Sequence, residues 1–213
     1  GRIAERPMLT SLLLEKVPGI GHGFLSEWGG LDPKPWRPKQ VHGADVMDLA
    51  GLDADPQEAD GVIARRAGLL IGVVTADCIP LLLAHPARVE VAAVHVGWRG
   101  LAAGILEHSV QALGGPDGWR VALGPAAGGC CYEVGPDVLS ALAPDPSDRV
   151  PTRPGHARLE LRAIAIGRLL KAGVDRSQIE IVGPCTICSR KWPSYRRDGE
   201  KAGRILSWIE RTK

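Results

Sequence analysis

Three short segments in the middle of the chain are almost continuously apolar. Residues 69–74, 79–84 and 89–96 are rich in Val, Ile, Leu and Ala, a pattern typical of strands that are buried on both faces. Residues 85–88, His-Pro-Ala-Arg, have turn chemistry and separate the second segment from the third. The pattern therefore predicts an antiparallel β-hairpin.

The predicted hairpin places a cysteine beside a histidine. If Ala84 faces Val89 across the turn, Cys78 faces His95 at the open end, with Cβ atoms about 4.5–5.5 Å apart. Pro80 lacks an N–H for the strand ladder, so an edge strand or a bulge that shifts this register is an alternative. The simplest interpretation of the pair is a buried thiol that packs beside a histidine held by the backbone.

Helical and extended patterns alternate through the rest of the chain. The further predicted elements are a helix at 100–113, a strand at 120–123, a helix that begins at Pro136, a helix at 159–172, and strands at 179–182 and 205–209. Helices mixed with an antiparallel hairpin predict an α/β (α+β) fold, a layered α/β sandwich of mixed sheets. We find no internal repeat and predict a single domain over residues 1–213, in which residues 1–7 are a leader or remnant.

Composition places the chain among ordinary globular proteins. Its 213 residues are 45% apolar and 23% charged, and 26 Lys and Arg against 24 Asp and Glu give a formal net charge of +2. This balance provides no basic surface typical of a nucleic-acid-binding protein, and no apolar run is long enough to span a membrane. We expect a cytoplasmic monomer that binds small molecules and has neither nucleic-acid nor membrane partners.

The chain contains five cysteines, at positions 78, 130, 131, 185 and 188. Their odd number, without a recognisable signal peptide, argues against a disulfide framework and for a reducing compartment. Cys185 and Cys188 have the C-x-x-C spacing of redox and zinc sites, but one such pair is a weak signal. We predict ordinary packing for the four cysteines other than Cys78, with Cys131 as a candidate cavity residue beside Tyr132.

A third residue makes the Cys–His pair a candidate metal site. His42 lies in a predicted tight turn that follows a proline-rich loop. Two imidazoles and one thiolate, from His42, His95 and Cys78, form a three-ligand zinc site with a fourth position for water or substrate. The same residue types are the equatorial ligands of a copper site, so copper is an alternative. The four remaining histidines form no paired pattern for a trinuclear copper centre.

Six motifs occur in order along most of the chain. They are Gln-Val-His-Gly at 40–43, Ala-Asp-Gly at 59–61, Thr-Ala-Asp-Cys at 75–78, Ala-Val-His-Val-Gly-Trp-Arg-Gly at 93–100, Leu-Gly-Pro at 123–125 with Cys-Tyr-Glu-Val-Gly at 131–135, and Ser-Tyr-Arg-Arg-Asp at 194–198. Together they resemble the bacterial laccase-domain family, whose members are described as multicopper polyphenol oxidases or purine nucleoside phosphorylases. The resemblance implies zinc bound by His42, Cys78 and His95. It also implies a fold similar to cysteine-hydrolase-like toxin deamidase domains.

The resemblance further implies a zinc-dependent purine nucleoside phosphorylase. Such an enzyme converts adenosine or inosine and phosphate to the free base and ribose 1-phosphate, and adenosine deamination is a further candidate activity. Arg99, at the start of the predicted helix, and the adjacent Arg196 and Arg197 are candidates for binding phosphate. Asp77 is a candidate general acid or base, or a residue that orients the ligand that follows it.

Three alternatives remain open at this point. Cys78 and His95 also provide the nucleophile and the base of a cysteine-type amidase. Copper in place of zinc makes the chain a laccase-like polyphenol oxidase. A non-catalytic interaction module is the third alternative, and it leaves His42 and the Cys–His pair without a shared role.

Overall fold

The computed structural model describes residues 8–27 and 31–212 of the chain. The predicted leader at residues 1–7 lies outside the described residues. Among the helices of the described part, none has the length and apolar character needed to cross a membrane.

Strands and helices alternate along the described chain. The strands are β1 (Met8–Leu9), β2 (Ile20–Leu25), β3 (Val46–Leu49), β4 (Gly61–Ala64), β5 (Ile71–Thr75), β6 (Ile79–Ala84), β7 (Val91–Val96), β8 (Arg120–Leu123), β9 (Glu133–Val134), β10 (Arg149–Pro151), β11 (Ala157–Leu159), β12 (Ile179–Ile181) and β13 (Ile205–Arg211). The α-helices are α1 (Leu12–Glu15), α2 (Trp98–Ala102), α3 (Ile105–Ala112), α4 (Pro136–Leu142), α5 (Leu161–Lys171) and α6 (Tyr195–Asp198). This mixture confirms the predicted α/β class.

A six-stranded mixed sheet, in the order β12-β8-β6-β7-β4-β3, forms the centre of the fold. The outer pairs β12–β8 and β3–β4 are parallel, and the pairs between them are antiparallel. A second, antiparallel sheet has the order β1-β2-β13-β5, and a small third sheet has the order β10-β11-β9. The predicted hairpin, β6 and β7, occupies the two middle positions of the large sheet.

Alternate residues of β6 pack on opposite faces of the large sheet. Leu81 and Leu83 join an apolar cluster that includes residues of α2, α3 and α5. Leu82 and Ala84 join a second cluster that includes residues of β2, β5 and β13 from the antiparallel sheet. Because both faces are covered, the strand is apolar at every position, as its sequence pattern predicts.

The hairpin is confirmed, but its predicted register is wrong by two residues. Ala84 pairs with Val91 rather than Val89, and Pro80 pairs with His95. The connecting loop is longer than predicted, and Nη2 of Arg211 donates to its carbonyl oxygens at His85 and Arg88, at 2.7 and 2.6 Å. A shift of two residues keeps every side chain on its face, so Cys78 and His95 remain neighbours.

Two predicted helices differ from the observed ones. The helix predicted at 100–113 is interrupted between α2 and α3, because Gly104 has a φ of +90° and leaves the helical region. The helix predicted at 159–172 begins later, at Leu161, because Leu159 pairs with Arg149 in the small sheet. The remaining predicted elements are confirmed to within two residues at each end.

We expect Gly124→Ala to destabilise the fold. A Cβ at this position, directly after β8, would overlap the ring of Phe24 and lie 2.8 Å from Cγ of Pro80. Overpacking of this kind lowers the free energy of unfolding by about 1–3 kcal/mol, which urea denaturation measures. Gly167→Ala in α5 is the control, because a Cβ there meets nothing within 4 Å. The control should gain up to about 1 kcal/mol, and equal stability of the two variants would contradict this packing.

Candidate metal centre and cavity

Three side chains that are distant in the sequence converge at the end of the central hairpin. His95 is in β7, Cys78 directly precedes β6, and His42 lies in the loop before β3. One ligand atom from each lies within 4.8 Å of the other two. The imidazole rings are nearly perpendicular, with centroids 4.8 Å apart. His95 is buried and His42 is exposed, so the group opens to solvent on the His42 side.

The fully buried carboxylate of Asp60, directly before β4, fixes both histidines. Its Oδ1 accepts the His42 backbone N–H at 2.9 Å and lies 2.7 Å from Nδ1 of His95. Its Oδ2 accepts the N–H groups of Val41 and Gly43 at 3.2 and 2.6 Å. Because Nδ1 of His95 donates to Asp60, Nε2 is left as the ligand atom of that ring.

The turn that carries His42 is held in an unfavourable backbone conformation. His42 has a φ of +60°, in the left-handed region that costs a non-glycine residue about 1–3 kcal/mol. The hydrogen bonds to Asp60 offset this cost. Gly100 in α2 adds a second constraint, because a Cβ there would overlap the carbonyl oxygen of Gly43. The turn is therefore packed directly against the helix backbone.

Glycine at position 97 leaves a cradle between the three ligands. A Cβ at Gly97 would lie 3.2 Å from Sγ of Cys78, 3.4 Å from Cδ2 of His42 and 3.7 Å from Cε1 of His95. Any larger residue would place its side chain among the ligands. Two imidazoles and one thiolate suit a borderline-soft cation such as zinc, and three protein ligands leave one position open. The residues present therefore fit a zinc ion.

In the absence of a metal ion, the same geometry favours the thiolate of Cys78. Burial raises the pKa of this thiol, but hydrogen bonds with His42 and His95 bring it down to about 7. Burial lowers the pKa of His95, but its hydrogen bonds with Asp60 and Cys78 outweigh burial and raise the pKa to about 9. A metal ion binds the thiolate and the neutral imidazole, so near neutral pH the lowered pKa of Cys78 favours metal binding and the raised pKa of His95 opposes it.

The three ligands line one wall of a cavity of about 430 Å³, a volume typical of small-molecule sites. Two aromatic rings, Tyr132 and Tyr195, and two cations, Arg196 and Arg204, also line it. The guanidinium carbon of Arg196 lies 5.0 Å from the centroid of the Tyr132 ring. Burial raises the pKa of Tyr132 to about 12, so its phenol keeps its proton at neutral pH.

Asp77 lies in the cavity wall with both carboxylate oxygens engaged. Oδ1 accepts a hydrogen bond from Oγ1 of Thr186, and Oδ2 accepts one from the backbone N–H of Arg196, each at 2.6 Å. These bonds connect the turn of Cys78 to the segment that carries Arg196. They fit the orienting role of Asp77, and its role as general acid or base stays a prediction.

The predicted phosphate-binding arginines have different surroundings. Arg196 lines the cavity. Arg99 is exposed, with its guanidinium carbon 4.3 Å from the centroid of the Trp98 ring, and it lines a neighbouring cavity in which Arg196 also takes part. Arg197 donates to the backbone carbonyl oxygens of the loop before it and to its neighbour Asp198. Of the three predicted arginines, Arg196 is therefore the one that lines the same cavity as the three ligands.

Comparison with known proteins identifies the family of the chain. A family model described as "Multi-copper polyphenol oxidoreductase laccase" matches residues 23–212. The chain belongs to this laccase family. The resemblance drawn from the six sequence motifs is thereby confirmed.

Similar proteins in the laccase family agree in sequence and in fold. A "Purine nucleoside phosphorylase" of Xylella fastidiosa strain Temecula1 is 39% identical over 196 residues, which cover 84% of this chain and 74% of that protein. The crystal structure of YlmD from Geobacillus stearothermophilus has a TM-score of 0.83 at 28% identity and covers 95% of this chain and 94% of that one. The hypothetical protein YfiH of Bacillus licheniformis has a TM-score of 0.85 at 26% identity, with coverage of 100% and 98%.

Sequence reasoning missed several residues that shape this laccase-family site. Asp60 stands in the Ala-Asp-Gly motif. Its local sequence is the same for an aspartate that only caps a turn and for a buried aspartate that holds two histidines, so the motif alone could not identify its role. Tyr132 follows a candidate cavity residue and stands in the Cys-Tyr-Glu-Val-Gly motif. Arg204 lies outside every motif, so only the folded chain brings it to the cavity.

We expect Cys78 to react as a thiolate near neutral pH in protein stripped of metal by a chelator. Because its pKa is about 7, alkylation by iodoacetamide should accelerate as the pH rises through about 7. Peptide mass spectrometry measures the rate at Cys78 separately from the other cysteines. In Asp60→Asn the support for His95 is weakened, so the midpoint should move upward towards that of an ordinary thiol. The control Asp55→Asn changes an exposed carboxylate, and a common midpoint for both variants would contradict the role of Asp60.

Proposed function

We propose that this chain is a purine nucleoside phosphorylase with a zinc ion at His42, Cys78 and His95. The observation that carries the proposal is the cavity in which a three-ligand metal cradle faces two aromatic rings and two arginines. Relatives at up to 39% identity carry the name purine nucleoside phosphorylase, which supports the same substrates, a purine nucleoside and phosphate.

The cavity offers separate surfaces to the two substrates. The guanidinium groups of Arg196 and Arg204 provide the positive charge that phosphate oxygens prefer. Nη1 of each donates to backbone carbonyl oxygens, so the other guanidinium N–H groups are the candidate donors to phosphate. Tyr132 and Tyr195 offer ring faces to a purine. The protonated phenol of Tyr132 donates a hydrogen bond to the nucleoside. In this arrangement the phosphate and the nucleoside meet beside the three ligands.

Phosphorolysis requires a phosphate oxygen to bond to C1′ of the ribose while the bond from C1′ to N9 of the purine breaks. Holding both substrates in one cavity removes much of the entropic cost of their encounter. Arg196 and Arg204 orient the phosphate, and the departing purine takes a proton in place of its bond to ribose. When bound, zinc supplies a Lewis acid that polarises a substrate atom or a water molecule. Water in place of phosphate, adding at C6 of adenosine while the C6–N6 bond breaks and the amino group leaves as ammonia, gives inosine, the deaminase activity that we propose as a second reaction.

Assays with adenosine and inosine, with and without phosphate, test the function. We expect free purine and ribose 1-phosphate only when phosphate is present, and inosine from adenosine without phosphate. His42→Ala should lose most of both activities together with its bound zinc, since it removes an exposed ligand and little packing. His85→Ala, in the hairpin loop away from the cavity, is the matched control. If zinc-loaded protein released neither free base nor inosine, the proposal would be refuted.

Arg196→Gln tests phosphate binding. Loss of a charged hydrogen bond to phosphate should raise the KM for phosphate about 10- to 100-fold, while the KM for nucleoside changes little. Steady-state kinetics at varied phosphate concentration measures the change. Arg66→Gln, an exposed arginine remote from the cavity, is the control. Arg99→Gln in the same assay tests the other predicted arginine, and an unchanged KM for phosphate would remove it from the site.

A cysteine-type amidase is the second candidate, because Cys78, His95 and Asp60 are arranged as nucleophile, base and orienting carboxylate. The amidase hypothesis expects metal-stripped protein to hydrolyse glutamine amides, and zinc to inhibit. The phosphorylase hypothesis expects the opposite effect of zinc. Release of ammonia from glutamine peptides, with Cys78→Ser as the inactive reference, distinguishes the two.

A copper-dependent polyphenol oxidase has less support from the donor atoms. Within the described residues, the groups able to hold a metal are the His42–Cys78–His95 site and one group made of cysteines alone. Neither provides the additional histidines of a trinuclear copper centre. Copper at the three-ligand site would therefore lack the partner ions of a multicopper oxidase.

A further inference from the structure

Four cysteines outside the cavity converge on one another. We call Cys130, Cys131, Cys185 and Cys188 the four-cysteine cluster. Their sulfur atoms all lie within 4.8 Å of one another. Ordinary packing, which the sequence predicts for them, does not explain this arrangement, because Cys130 and Cys188 are exposed.

The spacing of the sulfur atoms matches the coordination sphere of one metal ion. A tetrahedral site with metal–sulfur bonds of about 2.3 Å has sulfur atoms about 3.8 Å apart. The Sγ atoms of Cys130 and Cys188 are 3.8 Å apart. An iron–sulfur cluster needs more room, because its own iron and sulfide atoms must lie between the cysteine sulfurs. The distance is also far too long for a disulfide, and all four thiols are free.

The backbone around the cluster is shaped for a thiolate. Gly128 donates its N–H to Sγ of Cys185 at 3.2 Å. A Cβ on Gly128 would lie 3.0 Å from Cβ of Cys185, so glycine permits this close approach. Burial raises the pKa of the Cys185 thiol, but N–H groups of Cys188, Gly128 and Ile187 bring it down to about 7. Two of these donors come from within the C-x-x-C turn itself. Burial and the neighbouring sulfur atoms raise the pKa of Cys131, and that of Cys130 to about 12, so the geometry without a metal favours one thiolate, at Cys185.

Three arginines hold the segments of the cluster in place. Arg158 donates to the carbonyl oxygen of Cys130 at 3.1 Å. Arg162 lies beside Gly128, with Nη2 3.3 Å from the position that a Cβ would occupy there. Arg197 donates to the carbonyl oxygens of Thr186 and Ile187 at 2.8 and 3.1 Å. Arg162 and Arg197 also pair with the carboxylates of Glu160 and Asp198, at 3.1 and 2.6 Å, so their contribution to the cluster is to position its backbone.

We propose that the four-cysteine cluster is a second metal site, which binds one zinc ion through four thiolates and has a structural role. Each thiol releases its proton to solvent as its bond to zinc forms. A closed set of four sulfur ligands leaves no position for substrate, so the site differs in function from the His42–Cys78–His95 centre.

Zinc at the four-cysteine cluster connects two segments that form the cavity wall. Cys131 directly precedes Tyr132, and Cys185 directly precedes Thr186, which donates to Asp77. The segments already touch through an isolated bridge between Ala126 and Cys185. A shared zinc ion would fix their separation, and with it the position of the Tyr132 ring.

The zinc content of the full chain tests the proposal. Protein loaded with zinc under reducing conditions and freed of excess metal should lose one zinc per chain in the double variant Cys185→Ser and Cys188→Ser. Cys78→Ser, the only other cysteine position, is the matched control and should keep the cluster zinc. With Co²⁺ in place of zinc, the intense sulfur-to-metal charge-transfer absorption of several thiolates should persist in Cys78→Ser, and in the double variant it should fall to the weaker band of the single thiolate of Cys78. Equal zinc content of wild type and double variant would overturn the proposal.

A measurement on the wild-type chain avoids any folding defect of the variant. Zinc should slow alkylation of Cys130, Cys131, Cys185 and Cys188 together, as read by peptide mass spectrometry, and a chelator should restore it. If zinc left the alkylation rates of these four cysteines unchanged, the proposed zinc site would be refuted. A Cys130–Cys188 disulfide in zinc-loaded protein would also refute it, because the two sulfurs would then not be available as thiolates.

Discussion

One buried carboxylate organises the candidate metal centre. Asp60 is shielded from water, and an unpaired carboxylate in such a position is strongly unfavourable. It obtains its hydrogen bonds from three consecutive backbone N–H groups around His42 and from the ring of His95. Satisfying this single charge therefore orients two ligands at once. The ligand geometry exists before any ion binds, which reduces the reorganisation that binding requires.

The parts of the fold that sequence predicts best are those with two buried faces. β6 has the predicted bounds because its apolar residues are continuous, whereas β2 contains two glycines and a histidine and shows no clear periodicity. The hairpin loop is bonded to Arg211 of β13, a contact between remote segments that local turn chemistry could not predict. The proximity of Cys78 to His95 is kept despite the error in register, because a shift of two residues preserves the face of a strand.

The candidate site was predictable only as far as its residues lie in recognisable motifs. His42, Cys78 and His95 are such residues, and their chemistry indicates a metal centre from sequence alone. Arg204 and the four-cysteine cluster depend on contacts between remote segments, such as the bridge of Ala126 with Cys185. A C-x-x-C pair in isolation is a weak signal, and its meaning here comes from the second pair of cysteines that the fold places beside it.

The residues that line the cavity come from two parts of the chain, and the packing around them restricts substitution in one part far more than in the other. The part of its wall formed by His42, Cys78 and His95, the candidate metal centre, is tied to the central sheet through Asp60, and Gly97 and Gly100 leave almost no space for larger side chains. Its rim includes Tyr195 and Arg204, which are exposed side chains near the end of the chain. Substitutions at Tyr195 and Arg204 can therefore change which molecules bind in the cavity, while the three candidate ligands keep their chemistry. Proteins of one family can thus differ in the molecules that they bind.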